Sequence, residues 1–305
     1  MEILSKLIPI AMLAFVLSSM LSMGLSLTVA QILVPLRNFK LIVLALVANF
    51  VLMPFAAFVI ARLLRLDQPL AIALVLLGTA SGAPFLPLLA RISKANLAFA
   101  VGLMVLLMVV TVGFMPLVLP LMLEGVSVDP VKIGSSLVFL MLLPLAIGLL
   151  VRARLSRLAA KAQPFLSRLS MLSLVLLIVL LLITNVQNVL NLYGTRGVLA
   201  SILFVAAGSG IGWLLGGRQS DTRGVMALGT AQRNIAAAMV VGGQNFKDPR
   251  VIVMVVVVAI VGLLMLMPFA RYLAKRSQLA SSRSSDPSKL PSLEQSAVDG
   301  ARRGL

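Results

Sequence analysis

Runs of about twenty apolar residues, separated by short clusters of charge, recur along the whole chain. They predict nine helices, over roughly 7–33, 40–62, 69–90, 96–121, 131–151, 165–190, 197–217, 222–245 and 249–274. Two of the nine are interrupted. The eighth carries Gly229-Thr230-Ala231-Gln232-Arg233-Asn234 in the middle of its apolar run, and the third carries Gly78-Thr79-Ala80-Ser81-Gly82-Ala83-Pro84. Such stretches break a membrane helix only where the freed backbone groups line a cavity or protein rather than lipid. The two Gly-Thr-Ala triplets lie 151 residues apart, and Met115-Pro116 recurs as Met267-Pro268 at an offset of 152. The pattern reads as an internal repeat. The third and eighth spans are five apart and so cross in opposite directions, which predicts an inverted repeat of four helices plus five with two broken helices crossing near the midplane.

Prolines mark further kinks at Pro54, Pro84, Pro87, Pro116, Pro120, Pro144 and Pro268. The runs 172–183 and 251–264 carry no polar residue except Ser173 and read as lipid-facing or packing helices. Gly208, Gly210, Gly212, Gly216 and Gly217 allow close packing of the seventh helix. Gln31, Asn185, Gln187 and Asn188 sit near helix ends and read as interfacial. From about residue 277 the chain turns to Ser, Pro and charge, which predicts a disordered cytoplasmic tail over 277–305 behind a transmembrane domain over 1–276.

Composition agrees with a polytopic all-α membrane protein. Of 305 residues 60% are hydrophobic and 11% charged, with a mean hydropathy of +1.10, where soluble domains carry about 25% charge. The net charge of +17 would suggest nucleic acid in a soluble protein, but here it bears on sidedness. Alternating the connections places 18 Lys and Arg on one side and seven on the other, and still 14 against seven without Arg283, Lys289, Arg302 and Arg303. The richer side reads as cytoplasmic, which puts the C-terminus inside, the N-terminus outside and the protein in the inner membrane. Chemistry in the span is sparse. There is no cysteine and no histidine, and the nine acidic residues fall in loops or termini. No general acid or base, metal cluster or cofactor site is expected, so the chain reads as a non-enzyme with the bilayer and a small molecule as partners and no nucleic acid.

Arg233 is the one basic residue on neither side. A charge at the bilayer centre costs about 3 kcal/mol on insertion scales, so it must face protein, water or ligand. Two readings stay open: it holds an anionic substrate together with Asn234, Thr230, Thr79 and Ser81, or it is satisfied by backbone carbonyls of the other broken helix and locks the crossing. Thr79 and Ser81 likewise read either as ligands or as hydroxyls bonded back to their own helix.

Met23-Gly24-Leu25-Ser26-Leu27, Asn49-Phe50-Val51-Leu52-Met53-Pro54, the broken third helix, Asn96 followed by Pro116, and Gln232-Arg233-Asn234, in that order, resemble the bile acid:sodium symporter family. The resemblance implies a panel of helices (7–33, 131–151, 165–190) rocking against a core (40–121 and 197–274), with organic anions as the usual substrates. It also implies sodium as a possible coupling ion. Carried over, the cation-site amides are Asn49 and Gln232. The glutamate position falls on Leu228, the hydroxyl positions near Leu107 and Met108, and a Ser-Asn pair near Ala83 and Pro84. A site so stripped of oxygen should hold sodium poorly. The expected function is a secondary transporter of a small organic anion with weak or no sodium coupling. The alternatives are an uncoupled or proton-linked metabolite exporter and a non-transporting membrane sensor or scaffold.

Overall fold

The computed structural model describes residues 2–33, 38–123, 129–184 and 196–284. The described residues are helical, with no strand among them. The chain begins with α1 (Glu2–Ser26) and one further helical turn at Val29–Leu33. There follow α2 (Phe39–Leu63), α3 (Gln68–Thr79), α4 (Leu86–Ile92), α5 (Leu97–Met122), α6 (Pro130–Arg154) and α7 (Ser156–Thr184). After the segment 185–195, which lies outside the described residues together with Asn185, Gln187 and Asn188, come α8 (Gly197–Leu215), α9 (Ser220–Ala231), α10 (Ile235–Asn245) and α11 (Pro249–Ser284). Seven of these helices, α1, α2, α5, α6, α7, α8 and α11, are long and apolar enough to cross a membrane. The expected third and eighth helices are the pairs α3/α4 and α9/α10, each broken where its polar stretch was expected to break it.

Three elements differ from expectation. The first helix, expected over 7–33, begins at Glu2 and stops at Ser26, ahead of the separate turn Val29–Leu33. The helix expected over 165–190 begins at Ser156, with only Leu155 between it and α6, because Arg157, Lys161 and Arg168 lie along an exposed helical face and need no loop to reach water. The last helix runs on to Ser284, so 277–284 are helical rather than disordered. Residues 285–305 of the expected tail lie outside the described residues.

Two prolines act on their helices in the same way. Pro54 and Pro144 remove a donor and crowd the carbonyl four residues back. In each case the helix absorbs this in a π-helical turn just before, Ala48–Leu52 in α2 and Val138–Leu142 in α6. The first of these turns carries Asn49 fully into the interior.

α1 packs along α7 and across α6. At the α1–α6 crossing Gly24 and Gly148 bring the two backbones together, and a Cβ at Gly148 would come within 2.6 Å of the Leu21 carbonyl oxygen. α8 packs on α9 and α11, and the second half of α2 on α3. Gly208, Gly212 and Gly216 lie against the backbone of α9, whereas Gly210 faces open space. Of the two apolar runs, α7 turns Leu172, Val175, Leu176 and Val179 outward, and α11 buries Val251, Val253, Met254, Val255 and Val256.

Connections sort by end. Arg250 reaches Asp67 at 3.9 Å, Arg196 donates to the Leu64 carbonyl at 3.1 Å and Lys132 to the Gln244 carbonyl at 2.8 Å, joining helix ends at one end of the bundle. Lys94, Arg218, Arg223 and Arg276 gather at the other.

Candidate functional site

α3 and α9 end alike. Each stops at its Gly-Thr-Ala triplet and passes into one extended residue, Ala80 (φ −89°, ψ 94°) or Gln232 (φ −78°, ψ 116°). The two extended segments meet, and the Asn234 backbone N–H donates to the Ala80 carbonyl at 3.0 Å. Asn234 then serves both sides of the crossing. Its Oδ1 accepts from the Ala237 N–H at 3.1 Å, capping the N-terminus of α10, and its Nδ2 donates to the Gly82 carbonyl at 3.1 Å and the Ser81 carbonyl at 3.4 Å. Gly82 has φ +78° and lies against the backbone of α5 between Met104 and Met108, so both its conformation and its surroundings require glycine.

Arg233 is 2% exposed and points into this crossing. Its Nε donates to the Leu77 carbonyl at 2.8 Å and its Nη2 to the Gly78 carbonyl at 2.6 Å. Its Nη1 donates to Asn49 Oδ1 at 2.8 Å and the Thr230 carbonyl at 3.2 Å. Three of these four acceptors are carbonyls in the last turns of α3 and α9, where the helix dipole is negative and few intrahelical donors remain. A planar guanidinium suits the task because its N–H groups diverge in a fixed fork. The electrostatics of the crossing is therefore that of one fixed cation held between two helix C-termini, with no carboxylate among its partners in the described residues.

Asn49 is the hub of the remaining network. Its Oδ1 accepts from Ser81 Oγ at 2.8 Å as well as from Arg233, and its Nδ2 donates to the Ala45 carbonyl at 2.9 Å and Thr230 Oγ1 at 3.4 Å. Ser81 is held from its other side by Thr111 of α5, which accepts from the Ser81 N–H at 3.0 Å and donates to the Ser81 carbonyl at 3.1 Å. Among the described residues no buried side-chain nitrogen or oxygen lacks a partner.

Five of the expected site residues are thus brought together: Asn49, Ser81, Thr230, Arg233 and Asn234. Thr79 is buried but bonds back to the Val75 and Leu76 carbonyls, both at 3.0 Å. Gln232, expected to stand with Asn49, does not reach it. It is half-buried, and its own extended conformation sends it and Arg233 to opposite sides of the chain. The hydroxyl sought near Leu107 and Met108 is supplied one turn later by Thr111. Its signal was present, since Thr111 is the only polar side chain between Leu97 and Met122.

A second feature was not expected. A crevice of about 650 Å³ lies between α1 and α7 on one side and α4 and α5 on the other, and Pro84 and Pro87 of the first break form part of its wall. Its lining mixes apolar side chains, among them Met23, Leu27, Leu97, Val101 and Met104, with hydroxyls and amides: Ser19, Ser22 and Ser26 of α1 face Gln163, Ser167 and Ser170 of α7, with Arg91 its one charged side chain. Gln31, expected at the interface, also borders it. None of the seven expected site residues does. The spacing i, i+3, i+7 in α1 and i, i+4, i+7 in α7 marks one face of each helix and was readable in advance.

Residues 12–192, more than half of the chain, match the model of the Sodium Bile acid symporter family. No curated protein matches the chain. The match runs from α1 to beyond the end of α7 and includes Asn49, Ser81, Thr111 and the whole crevice, while Arg233 and Asn234 lie outside it. The described fold has the several apolar spans such a protein needs, and the chain belongs to the Sodium Bile acid symporter family, as a multi-pass membrane protein whose family role is transport rather than catalysis.

Proposed function

We propose that the protein carries a small polar organic anion across the membrane by alternating access and does so without coupling to sodium. The observation that carries this reading is the filling of the crossing by Arg233. In transporters built on broken helices, the C-terminal ends of half-helices and their unwound carbonyls are where a coupling cation binds. Here the corresponding oxygens, from Leu77, Gly78, Thr230 and Asn49, are taken by a guanidinium. A further unit positive charge 4 Å away would meet about 4 kcal/mol of repulsion at an effective dielectric near 20. The arginine thus supplies permanently the charge that a coupling ion would bring and take away. The chain has no histidine, and among the described residues no carboxylate bonds to the groups at the crossing to carry protons in its place, which favours uncoupled over proton-linked movement.

The crevice is the substrate site in this reading. Its volume lies in the range for small-molecule pockets, and its hydroxyls, amides and single arginine, set among apolar side chains, suit an organic anion that can accept several hydrogen bonds. The panel is α1, α6 and α7 and the core is α2–α5 with α8–α11, so the crevice lies where the two move against each other. The broken pairs complete nine crossings in an inverted repeat, and the basic-rich end faces the cytoplasm. Reconstitution into liposomes tests this: saturable flux of at least one small mono- or dicarboxylate is expected, reduced at least tenfold in affinity by Arg91→Gln. A protein that moves none of them, or moves only neutral solutes, contradicts the proposal.

A further inference from the structure

At the end of the bundle where α4, α8, α9 and α11 meet, a second cavity of about 240 Å³ collects charge of one sign. Lys94, Arg218, Arg223 and Arg276 line it with a single acid, Asp221, leaving an excess of three positive charges. The four come from three separate stretches of chain and are held there by structure. α4 ends in a turn in which Ala95 N–H donates to the Ala90 carbonyl at 3.0 Å and Lys94 N–H to the Arg91 carbonyl at 3.2 Å, which carries Lys94 round to the cavity. Arg223 Nε donates to the Gly217 carbonyl at 2.9 Å. The guanidinium carbons of Arg223 and Arg276 lie 5.2 Å and 5.4 Å from the centre of the Trp213 ring, so one indole organises two of the cations.

Among the described residues none of the four is in an ion pair, and the Asp221 carboxylate is engaged by Asn96 Nδ2 at 3.5 Å and the Thr222 N–H at 2.7 Å. Ser93, Ala95, Ser220, Gly224 and Leu273 complete the wall. The depth of the site in the membrane follows from the elements around it: Trp213 stands two residues before the end of α8, and Arg276 closes the apolar span of α11. Both are span ends, the level of lipid headgroups, where tryptophan and basic side chains gather.

We infer that this cavity binds the phosphate of an anionic phospholipid headgroup, clamped by Lys94, Arg218, Arg223 and Arg276 with Trp213 as its floor. Phosphate accepts bonds from several such donors at once, and basic pockets between membrane helices on the cytoplasmic side recognise headgroups in this way. The site is separate from the crevice and the crossing, and its existence does not depend on what the protein transports. A lipid held there would join the loop after α4 to the ends of α8 and α11.

The protein has one tryptophan, so Trp213 reports the site directly. Purified full-length protein is titrated with dioctanoyl phosphatidylglycerol, dioctanoyl phosphatidylcholine and inorganic phosphate, reading tryptophan fluorescence together with lipid retention in native mass spectrometry. Saturable binding of phosphatidylglycerol is expected at concentrations at least tenfold below phosphatidylcholine. Lys94→Gln with Arg218→Gln, which leave the indole contacts in place, should weaken it about tenfold or more, and Lys94→Arg with Arg218→Lys should restore it. Inorganic phosphate saturating at the same concentrations would identify the free ion as the natural source and keep the phosphate site. Equal binding of the two lipids, or an unchanged affinity in the Gln variant, overturns the inference, as does a protein that retains no phosphatidylglycerol and shows no fluorescence change.

Discussion

The Arg233 guanidinium donates to the side-chain oxygen of Asn49 at 2.8 Å, joining residues 184 positions apart and tying the π-turn of α2 to the break between α9 and α10. The bond joins three elements in effect, because Asn49 Oδ1 also accepts from Ser81 in the first break.

Arg233→Gln is expected to destabilise the protein by about 3 kcal/mol or more, since several hydrogen bonds to a charged donor are lost together and each is worth about 1.5–3 kcal/mol, less than additively. Thermal melting in detergent measures this. Arg233→Lys should recover little of the loss, because an ammonium cannot reach diverging carbonyls at once. A variant that melts like the parent but loses anion affinity would return the arginine to a substrate-binding role.

Two threonines at the crossing separate structural from incidental hydroxyls. Thr111→Val keeps shape but leaves the Ser81 N–H without its partner and the Ser81 carbonyl with only the long bond from Asn234 Nδ2, with an expected loss of about 1–3 kcal/mol. Thr79→Val removes only bonds back to its own helix and should stay within about 1 kcal/mol of the parent. Equal melting temperatures for the two variants would contradict the network drawn around Asn49.

How much of this was readable beforehand depends on the range of the signal. The breaks were legible, because a Gly-Thr-Ala triplet followed by polar and small residues contradicts its apolar surroundings locally. The serine faces of α1 and α7 were equally local, but their meaning needed Pro84 and Pro87 from another helix to close a crevice over them. Arg233 and Gln232 show where local reading ends. Both are polar and adjacent, and which of them meets Asn49 turns on one residue's ψ, which in α9 is set by where the helix stops. The start of α7 at Ser156 was hidden for a different reason, since a basic run looks like a loop until its exposed face is known.

Sidedness is open to a chemical test because the chain has no cysteine. Single substitutions Ser220→Cys and Lys247→Cys place thiols at opposite ends of the bundle, both at exposed positions. A membrane-impermeant maleimide applied to intact cells should label Lys247→Cys and reach Ser220→Cys only after permeabilisation. Labelling of Ser220→Cys alone in intact cells would reverse the orientation.

In the crevice, Ser19→Leu should fill space between α1 and α7 and abolish saturable anion flux while leaving the melting temperature within a few degrees, because Ser19 borders the crevice and is only half-buried. Flux that persists at parental affinity would move the substrate path elsewhere.

The claim that Arg233 stands in for a coupling ion is tested most directly by anion flux into proteoliposomes under equal anion gradients, with inward gradients of sodium, potassium or choline chloride compared side by side. The account predicts equal initial rates in all three. A rate at least tenfold higher in sodium, with a sodium dependence that saturates, would contradict it.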